Sequence, residues 1–87
     1  ANGTTAPLIF VGHTANVVSL TALPDGRVAS GGEDGTVQVW DPDTSIVNPV
    51  IYEGHEGTVY GLASFPDGRV ASGGDDDTVQ IWDPDNL

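Results

Sequence analysis

The stretch PDGRVASGGEDGTVQVWDPD at residues 24–43 decides the fold, because the chain contains it twice. It returns as PDGRVASGGDDDTVQIWDPD at residues 66–85, and the dipeptide GH at residues 12–13 returns at residues 54–55. The spacing from Gly12 to Gly54 equals the spacing from Pro24 to Pro66, so both recurrences share one offset. A constant offset without gaps indicates that one structural unit has been copied, since unrelated motifs would not keep one spacing.

Short strands separated by explicit turns make up each unit. Asp25-Gly26 predicts a tight hairpin turn, because glycine accepts the positive φ that such a turn needs. In the predicted strand at residues 36–40, Val37 and Val39 are expected on one face. Strands every 8–12 residues with turns between them indicate an all-β repeat. The predicted strands cover residues 17–23, 27–31, 36–40, 50–53, 59–65, 69–73 and 78–82.

Composition excludes several partners and sites. Thirteen acidic residues against two basic ones give a net charge of −11, which argues against nucleic acids and anionic membranes because both need a basic patch. Arg27 and Arg69 are expected to pair with nearby carboxylates. The chain has no cysteine, which excludes a disulfide or a thiolate metal site. No run is apolar and long enough to span a membrane, so we expect a soluble chain without cofactors, cytoplasmic if it is natural.

Several motifs recur at fixed positions inside each unit. GH is followed by PDG, ASGG, D-x-T-V and WD, and the spacing from His13 to Trp40 is repeated from His55 to Trp82. This set resembles the WD-repeat (WD40) β-propeller family, and the 42-residue period fits the ~40–45 residues of a four-stranded blade. The resemblance implies an all-β fold with two such blades per chain and a non-enzymatic scaffold. If the four strands of a blade are lettered a to d from the propeller centre outwards, the strands of this chain would follow the order d-a-b-c-d-a-b-c along the sequence.

The resemblance also sets the expected domain boundaries. We place repeat 1 at residues 8–49 and repeat 2 at residues 50–87. Residues 1–7 match no part of the repeat and are expected to form a flexible tail or a tag remnant. The first residue is Ala1 rather than methionine, which indicates a processed, excised or engineered chain. The two near-identical units favour a designed or amplified scaffold.

A hydrogen-bonded tetrad in each blade is a further implication of the resemblance. A histidine would contact an aspartate and a serine, and the serine would meet a tryptophan N–H; a buried indole and imidazole need such partners. The expected members are His13, Ser30, Asp34 and Trp40 in the first copy and His55, Ser72, Asp76 and Trp82 in the second. Gln38 and Gln80 replace a basic residue that the family often has, which predicts weaker ion pairs between strands or blades.

Two catalytic or metal-binding interpretations compete with this structural one. Ser30, His13 and Asp34 are the residue types of a catalytic triad, but the set occurs twice and leaves the tryptophan unexplained. The aspartates at residues 75–77 suit a hard cation, but they lack the spacing of a calcium loop. We therefore favour structural roles and expect no catalytic and no metal-binding residue. In this interpretation Asp77 takes the place of a turn glycine with positive φ.

Two blades alone leave apolar faces without a neighbour, and such faces mark an interface. A propeller needs ~4–8 blades, so we expect a cyclic homo-oligomer with a head-to-tail interface. Four chains giving eight blades are the first expectation, and three giving six the second. An outer strand at residues 8–11 of one copy would complete the blade that ends at residues 78–82 of another. The residues expected on these assembly strands are Leu8, Ile9, Phe10, Val11, Val79 and Ile81.

A natural protein-interaction module is the alternative function. Its binding surface would be the loops at one end of the blades, where an acidic rim would favour basic peptides. The loops offer few aromatic or arginine anchors of the kind that dominate binding energy. The residues expected on this surface are Thr14, Asn16, Glu33, Glu56, Thr58 and Asp75.

Overall fold

The structure, a computed structural model, describes residues 9–42 and 49–87. Regular structure in these residues is entirely β, and no helix in them could cross a membrane. The predicted tail at residues 1–7 lies outside the described residues, as does Leu8. The seven strands are β1 (Val17–Ala22), β2 (Val28–Gly32), β3 (Val37–Trp40), β4 (Val50–Tyr52), β5 (Val59–Ser64), β6 (Val70–Gly74) and β7 (Val79–Trp82).

The strands form two antiparallel sheets, one for each copied unit. The first sheet has the order β1-β2-β3-β4 and the second the order β5-β6-β7. β4 comes from the start of the second repeat but pairs with β3, with Val37 opposite Tyr52. The β1–β2, β2–β3, β5–β6 and β6–β7 connections are short, and each sheet is an all-β blade, as predicted.

Each Asp-Gly pair closes a hairpin with its glycine at positive φ, as predicted, but Asp25 and Asp67 do not have positive φ, so neither turn is the primed two-residue turn that Asp-Gly favours. Gly26 has φ 96° and its counterpart Gly68 has φ 94°. The Leu23 N–H donates to the Arg27 carbonyl over 2.8 Å and closes the turn. A side chain with a Cβ would be strained at such φ values, which explains why both units keep a glycine there.

The predicted outer strand at residues 8–11 does not form within the described residues. Ile9, Phe10 and Val11 have no strand pairing. A strand needs a neighbouring edge for its backbone N–H and C=O groups, and the edge that matches this segment by repeat position is β7 in the other blade.

The hydrophobic core lies between the two blades. Val37 and Val39 point to it from β3, as their alternation with Gln38 predicts. Burying one valine contributes about 1.5–3 kcal/mol, so this interface is a main source of stability. The core residues are Leu23, Ala29, Val37, Val39, Val59, Val70 and Trp82, with Val50, Tyr52 and Leu62 packed against them.

Candidate functional site

The second blade contains a closed network of four side chains. His55 precedes β5, Ser72 lies on β6, Asp76 lies in the β6–β7 turn and Trp82 ends β7. His55 Nδ1 is 3.2 Å from both carboxylate oxygens of Asp76, and His55 Nε2 is 2.8 Å from Ser72 Oγ. The Trp82 indole N–H donates to Ser72 Oγ over 3.0 Å.

The chemistry of this network assigns its protons. An ionised carboxylate can only accept, so His55 Nδ1 carries the proton that faces Asp76. In a neutral imidazole the other nitrogen, Nε2, is then free to accept from the Ser72 hydroxyl. The serine oxygen still has a lone pair for the Trp82 N–H. Each buried polar group is thus satisfied, which links β6, β7 and the loop before β5.

The first blade repeats three of these contacts and lacks the fourth. His13 Nδ1 is 3.2 Å from Asp34 Oδ1 and 3.1 Å from Asp34 Oδ2, and His13 Nε2 is 2.8 Å from Ser30 Oγ. The expected bond from Trp40 to Ser30 is absent: the Trp40 indole N–H is buried and has no partner among the described residues. The reason is not local sequence, because Trp40 and Trp82 lie in nearly the same motif. Trp82 is held in the core between the blades, whereas Trp40 faces outwards onto an open cleft.

The turn aspartate of the first blade is kept ionised by its donors. Burial raises the pKa of Asp34, but the N–H of Thr14, the hydroxyl and N–H of Thr36, and His13 outweigh it and lower that pKa to about 2. The Thr14 N–H bond is 2.9 Å long and the Thr36 hydroxyl bond 2.8 Å. Asp34 therefore ties the GH loop to the turn before β3 as a negative charge.

Its counterpart in the second blade is held in the same way. The Thr78 hydroxyl, 2.7 Å away, lowers the pKa of Asp76 well below its usual range. Desolvation opposes this shift, while the Glu56 N–H, His55 and the Thr78 N–H reinforce it. These hydrogen bonds favour the charged form. The carboxylate is thus a structural acceptor in both blades.

The serine of each network is buried within its blade. Ser72 is fully buried, with 0% of its surface exposed, and Ser30 is buried too. The oxygen of Ser72 already receives an indole N–H. A nucleophile must reach a substrate carbonyl with an oxyanion site beside it. Ser72 is enclosed within its blade, whereas Ser30, although buried, lines the cleft beside Trp40.

The three consecutive aspartates have separate roles. Asp77 has φ 65°, where its counterpart Gly35 has φ 81°, which confirms the prediction of a turn position with positive φ. Asp76 belongs to the network with His55, and the backbone N–H of Asp75 donates to the Thr58 carbonyl over 2.8 Å. Across residues 9–42 and 49–87, no group of three or more histidine or acidic side chains could hold a metal ion.

A tyrosine that the sequence analysis did not single out completes the second network. Tyr52 stacks on Trp82 with ring centroids 4.3 Å apart, and its hydroxyl donates to Gln80 Oε1. The Gln80 side-chain amide donates to the Gly54 carbonyl over 3.0 Å, so the glutamine supports the GH loop. An aromatic residue at both position 10 and position 52 was the available signal.

The first blade has phenylalanine at the position of that tyrosine. Phe10 stacks on Trp40 with centroids 4.9 Å apart, and Gln38 donates to the Gly12 carbonyl over 3.0 Å. Phe10 has no hydroxyl, so Gln38 Oε1 is buried without a hydrogen-bond partner in the described part of the chain.

Polar contacts also join the two blades. Arg27 reaches Asp85 with two parallel hydrogen bonds of 3.0 Å and binds Asp25 through Nε over 2.8 Å. In the second blade Arg69 binds Asp67 over 2.8 Å. The prediction that both arginines pair with carboxylates is therefore confirmed, and Arg27 in addition bridges the blades.

The outer faces of the two blades are apolar and uncovered. Val79 on β7 is 74% exposed, while its counterpart Val37 is 0% exposed in the interface between the blades. On the opposite side Val17 is 50% exposed, while its counterpart Val59 is 0% exposed. We call the side with Val79 and Ile81 the β7 face. The other side, the cleft face, holds a cleft of about 270 Å³ lined by Ile9, Phe10, Val17, Leu20, Ser30 and Trp40.

The loops expected to bind peptides adjoin at one end of the two blades. The Glu33 N–H donates to the Asn16 carbonyl over 2.8 Å, which brings the first blade's loops together as Asp75 and Thr58 do in the second. A Cβ on Gly35 would lie 3.2 Å from the Gly57 carbonyl, so the loops of both blades touch. Of the six residues expected on this surface, Thr58 is half-buried and the other five are exposed: Thr14, Asn16, Glu33, Glu56 and Asp75.

Comparisons with known proteins agree with this architecture. The family model described as WD domain, G-beta repeat matches residues 5–41 and 48–83. The computationally designed Ika4 protein is similar at TM-score 0.77 and 33% identity over 95% of this chain and 51% of that one. The WD40 β-propeller domain of Doa1 is similar at TM-score 0.74 and 25% identity over 82% of this chain and 24% of that one. The chain thus spans about half of the first structure and a quarter of the second. The search of curated proteins found no match.

Proposed function

Because the chain belongs to the WD40 repeat family, we propose that it is a non-enzymatic, self-assembling two-blade unit. Copies dock head to tail until the blades close into a propeller. Four chains giving eight blades are the first expectation, and three chains giving six the second. Similarity to a computationally designed protein supports its interpretation as a designed or amplified-repeat scaffold.

The observation that carries the proposal is the unequal burial of equivalent residues. Val37 and Val59 are covered where the two blades meet, whereas Val79 and Val17, their counterparts in the other repeat, are exposed. The β7 face of one copy and the cleft face of another therefore present nearly the same side chains that already pack together inside one chain. Covering them removes apolar surface from water at about 25 cal/mol per Å².

The pairing of β4 supplies the register for strand exchange. Val37 lies opposite Tyr52 and Gln38 opposite Ile51 in the first sheet. By the repeat offset, Val79 corresponds to Val37 and Gln80 to Gln38. On the partner strand, Phe10 corresponds to Tyr52 and Ile9 to Ile51. Residues 8–11 of one copy would thus extend β7 of the next and give its three-stranded blade a fourth strand.

Mass measurement with one blocking variant tests the proposal. A Cβ at Gly73 would meet nothing closer than 3.9 Å within the chain, but one at Gly31 would lie 2.8 Å from Val59 Cγ1. Gly73→Val should therefore leave the blades folded and clash with Val17 of a docking copy. By light scattering we expect a multiple of 9.0 kDa for the unmodified chain and a folded monomer for Gly73→Val, with the fold checked by circular dichroism.

The equivalent substitution in the first blade is the matched control. Gly31→Val should destabilise the chain itself, because the clash with Val59 is then internal. An unmodified chain that remains a 9.0 kDa monomer at every concentration would contradict the proposal. So would a Gly73→Val variant that assembles as the unmodified chain does.

Binding of basic peptides at the loop end is the second candidate function. It is favoured by the position of Glu33, Glu56 and Asp75, which are exposed at the end where the loops of the two blades adjoin. Attraction to lysine- or arginine-rich peptides should weaken as salt is added. Titration calorimetry with such a peptide tests it, and equal binding by a Glu33→Gln/Glu56→Gln variant would count against it.

A further inference from the structure

Two serine hydroxyls join the blades within one chain. Ser19 Oγ donates to the Val59 carbonyl over 3.1 Å, and Ser64 Oγ donates to the Ala22 carbonyl over 2.7 Å. The first bond runs from the first blade to the second, and the other runs in the opposite direction. Together they fasten β1 to β5 across this boundary.

Neither hydroxyl has a counterpart in the other repeat. Gly61 occupies the position in the second repeat that is equivalent to Ser19, and Ala22 occupies the position in the first repeat that is equivalent to Ser64. If two copies meet as the two blades do, Gly61 of one copy faces the Val17 carbonyl of the other. Ala22 of the second copy then faces the Ser64 carbonyl of the first. Both contacts lack a donor.

We propose that Gly61 and Ala22 make the boundary between copies the weaker of the two blade boundaries, so that the ring opens and exchanges subunits there. The inference rests on the proposed function, because it concerns the same head-to-tail interface. Beyond the proposed function, the inference names Gly61 and Ala22 as the positions that limit how strongly the copies bind each other. The boundary inside each chain keeps its two hydroxyl bonds and stays closed while copies exchange.

The backbone at both positions is ready to accept serine. Gly61 pairs with Gly73 as Ser19 pairs with Gly31, after the same register shift in each sheet. Gly61 is not among the residues with positive φ, and a Cβ on it would meet no atom within 4 Å. Ala22 pairs with Val28 as Ser64 pairs with Val70. A serine at position 22 would therefore point its hydroxyl in the same direction, relative to its own blade, as Ser64 does.

Subunit exchange and dilution measure the strength of this boundary. The chain has no cysteine, so an Asn86→Cys substitution at an exposed position provides a single site for donor and acceptor dyes. Energy transfer after mixing reports exchange, and sedimentation on dilution reports the concentration at which copies separate. Each of Gly61→Ser and Ala22→Ser should lower that concentration about fivefold, and the double variant about 25-fold, with slower exchange.

Controls separate the hydroxyl from other effects. Gly61→Ala removes the glycine without adding a donor and should separate at the concentration of the unmodified chain. Ser64→Ala should lower the unfolding midpoint of the chain while leaving exchange unchanged, because it removes a bond inside the chain. If the unmodified chain assembles and the double variant separates at the same concentration as it does, the inference is wrong and the proposed ring stands. A monomeric unmodified chain would overturn the proposed ring and, with it, the weak boundary.

Discussion

At the scale of single residues, the two repeats act as internal controls for each other. Tyr52 satisfies Gln80, whereas Phe10 leaves Gln38 Oε1 without a partner among the described residues. Asp77 adopts a positive φ that Gly35 takes without a Cβ. The sequence around each pair is nearly the same, although the two blades differ in what packs against them.

Phe10→Tyr is expected to stabilise the chain. A Cβ at Gly12 would lie against Phe10 Cζ and Gln38 Oε1, just as one at Gly54 would lie against the ring of Tyr52 and Gln80. The added hydroxyl should therefore reach Gln38 Oε1, and a satisfied buried acceptor is worth about 1 kcal/mol. Urea unfolding followed by circular dichroism measures the change.

The reverse substitution, Tyr52→Phe, is the matched control and should cost about 1 kcal/mol, since it removes the partner of Gln80 Oε1. Equal unfolding midpoints for the unmodified chain and Phe10→Tyr would show that the Gln38 oxygen finds another partner.

At the scale of elements, each network holds the GH loop against the β2–β3 or β6–β7 turn through one carboxylate. The Asp34 carboxylate joins the Thr14 N–H, the Thr36 hydroxyl and His13. Such a carboxylate, whose pKa is lower in the folded chain than in the unfolded one, links stability to pH.

Acid should weaken the fold between about pH 4 and pH 2. The pKa of Asp34 is about 2 in the folded chain against an ordinary value of 3.8. Its contribution to stability is therefore complete above the unfolded pKa and is lost as the pH falls through the folded one. The pKa of Asp76 is also lowered, so it acts in the same direction. Urea unfolding at a series of pH values measures this loss.

Asp34→Asn tests the assignment, because its amide does not titrate. The variant should be less stable at pH 7 and lose less stability than the unmodified chain between pH 4 and pH 2. It should not remove the acid sensitivity entirely, since the pKa values of Asp25 and Asp67 are also lowered, chiefly by the backbone N–H groups of Arg27 and Arg69. An unchanged pH profile would exclude Asp34 as a contributor.

At the scale of the whole molecule, the difference between the two tryptophans follows from what covers them. Trp82 is buried between the blades and bonds Ser72, whereas Trp40 lines the open cleft and has no described partner. In the proposed ring the β7 face of a neighbouring copy would cover that cleft, and Trp40 would then have the surroundings that Trp82 has in one chain.

Tryptophan fluorescence should therefore report docking from one repeat only. In Trp82→Phe, the emission of Trp40 is expected to shift to shorter wavelength as concentration rises, because docking covers the part of the half-buried ring that the cleft leaves exposed. In Trp40→Phe, the emission of Trp82 should not depend on concentration, since that ring is already covered within the chain. Identical behaviour of both variants would contradict a docking surface at the cleft.

The sequence predicted much of the fold because its signals are local. Asp25-Gly26 specifies a turn through the backbone freedom of glycine, and the alternation of Val37, Gln38 and Val39 specifies that the two valines share one face of β3, although Gln38 on the opposite face is buried too. The spacing of His55, Ser72, Asp76 and Trp82 was informative through family resemblance. The support that Tyr52 gives to Gln80 was missed, because it depends on a strand from one blade reaching the other.

By itself, then, the sequence determined the repeat, the strands, the turns and the residue types of each network, since these follow from local backbone preferences and one constant repeat offset. Only the tertiary structure decided which copy of each residue is covered. Val37 and Val79 have nearly identical neighbours in sequence but opposite exposure, and Trp82 finds Ser72 while Trp40 does not reach Ser30. Burial and hydrogen bonding depend on what packs from outside the segment, and only one blade face in each pair has a neighbour within the chain.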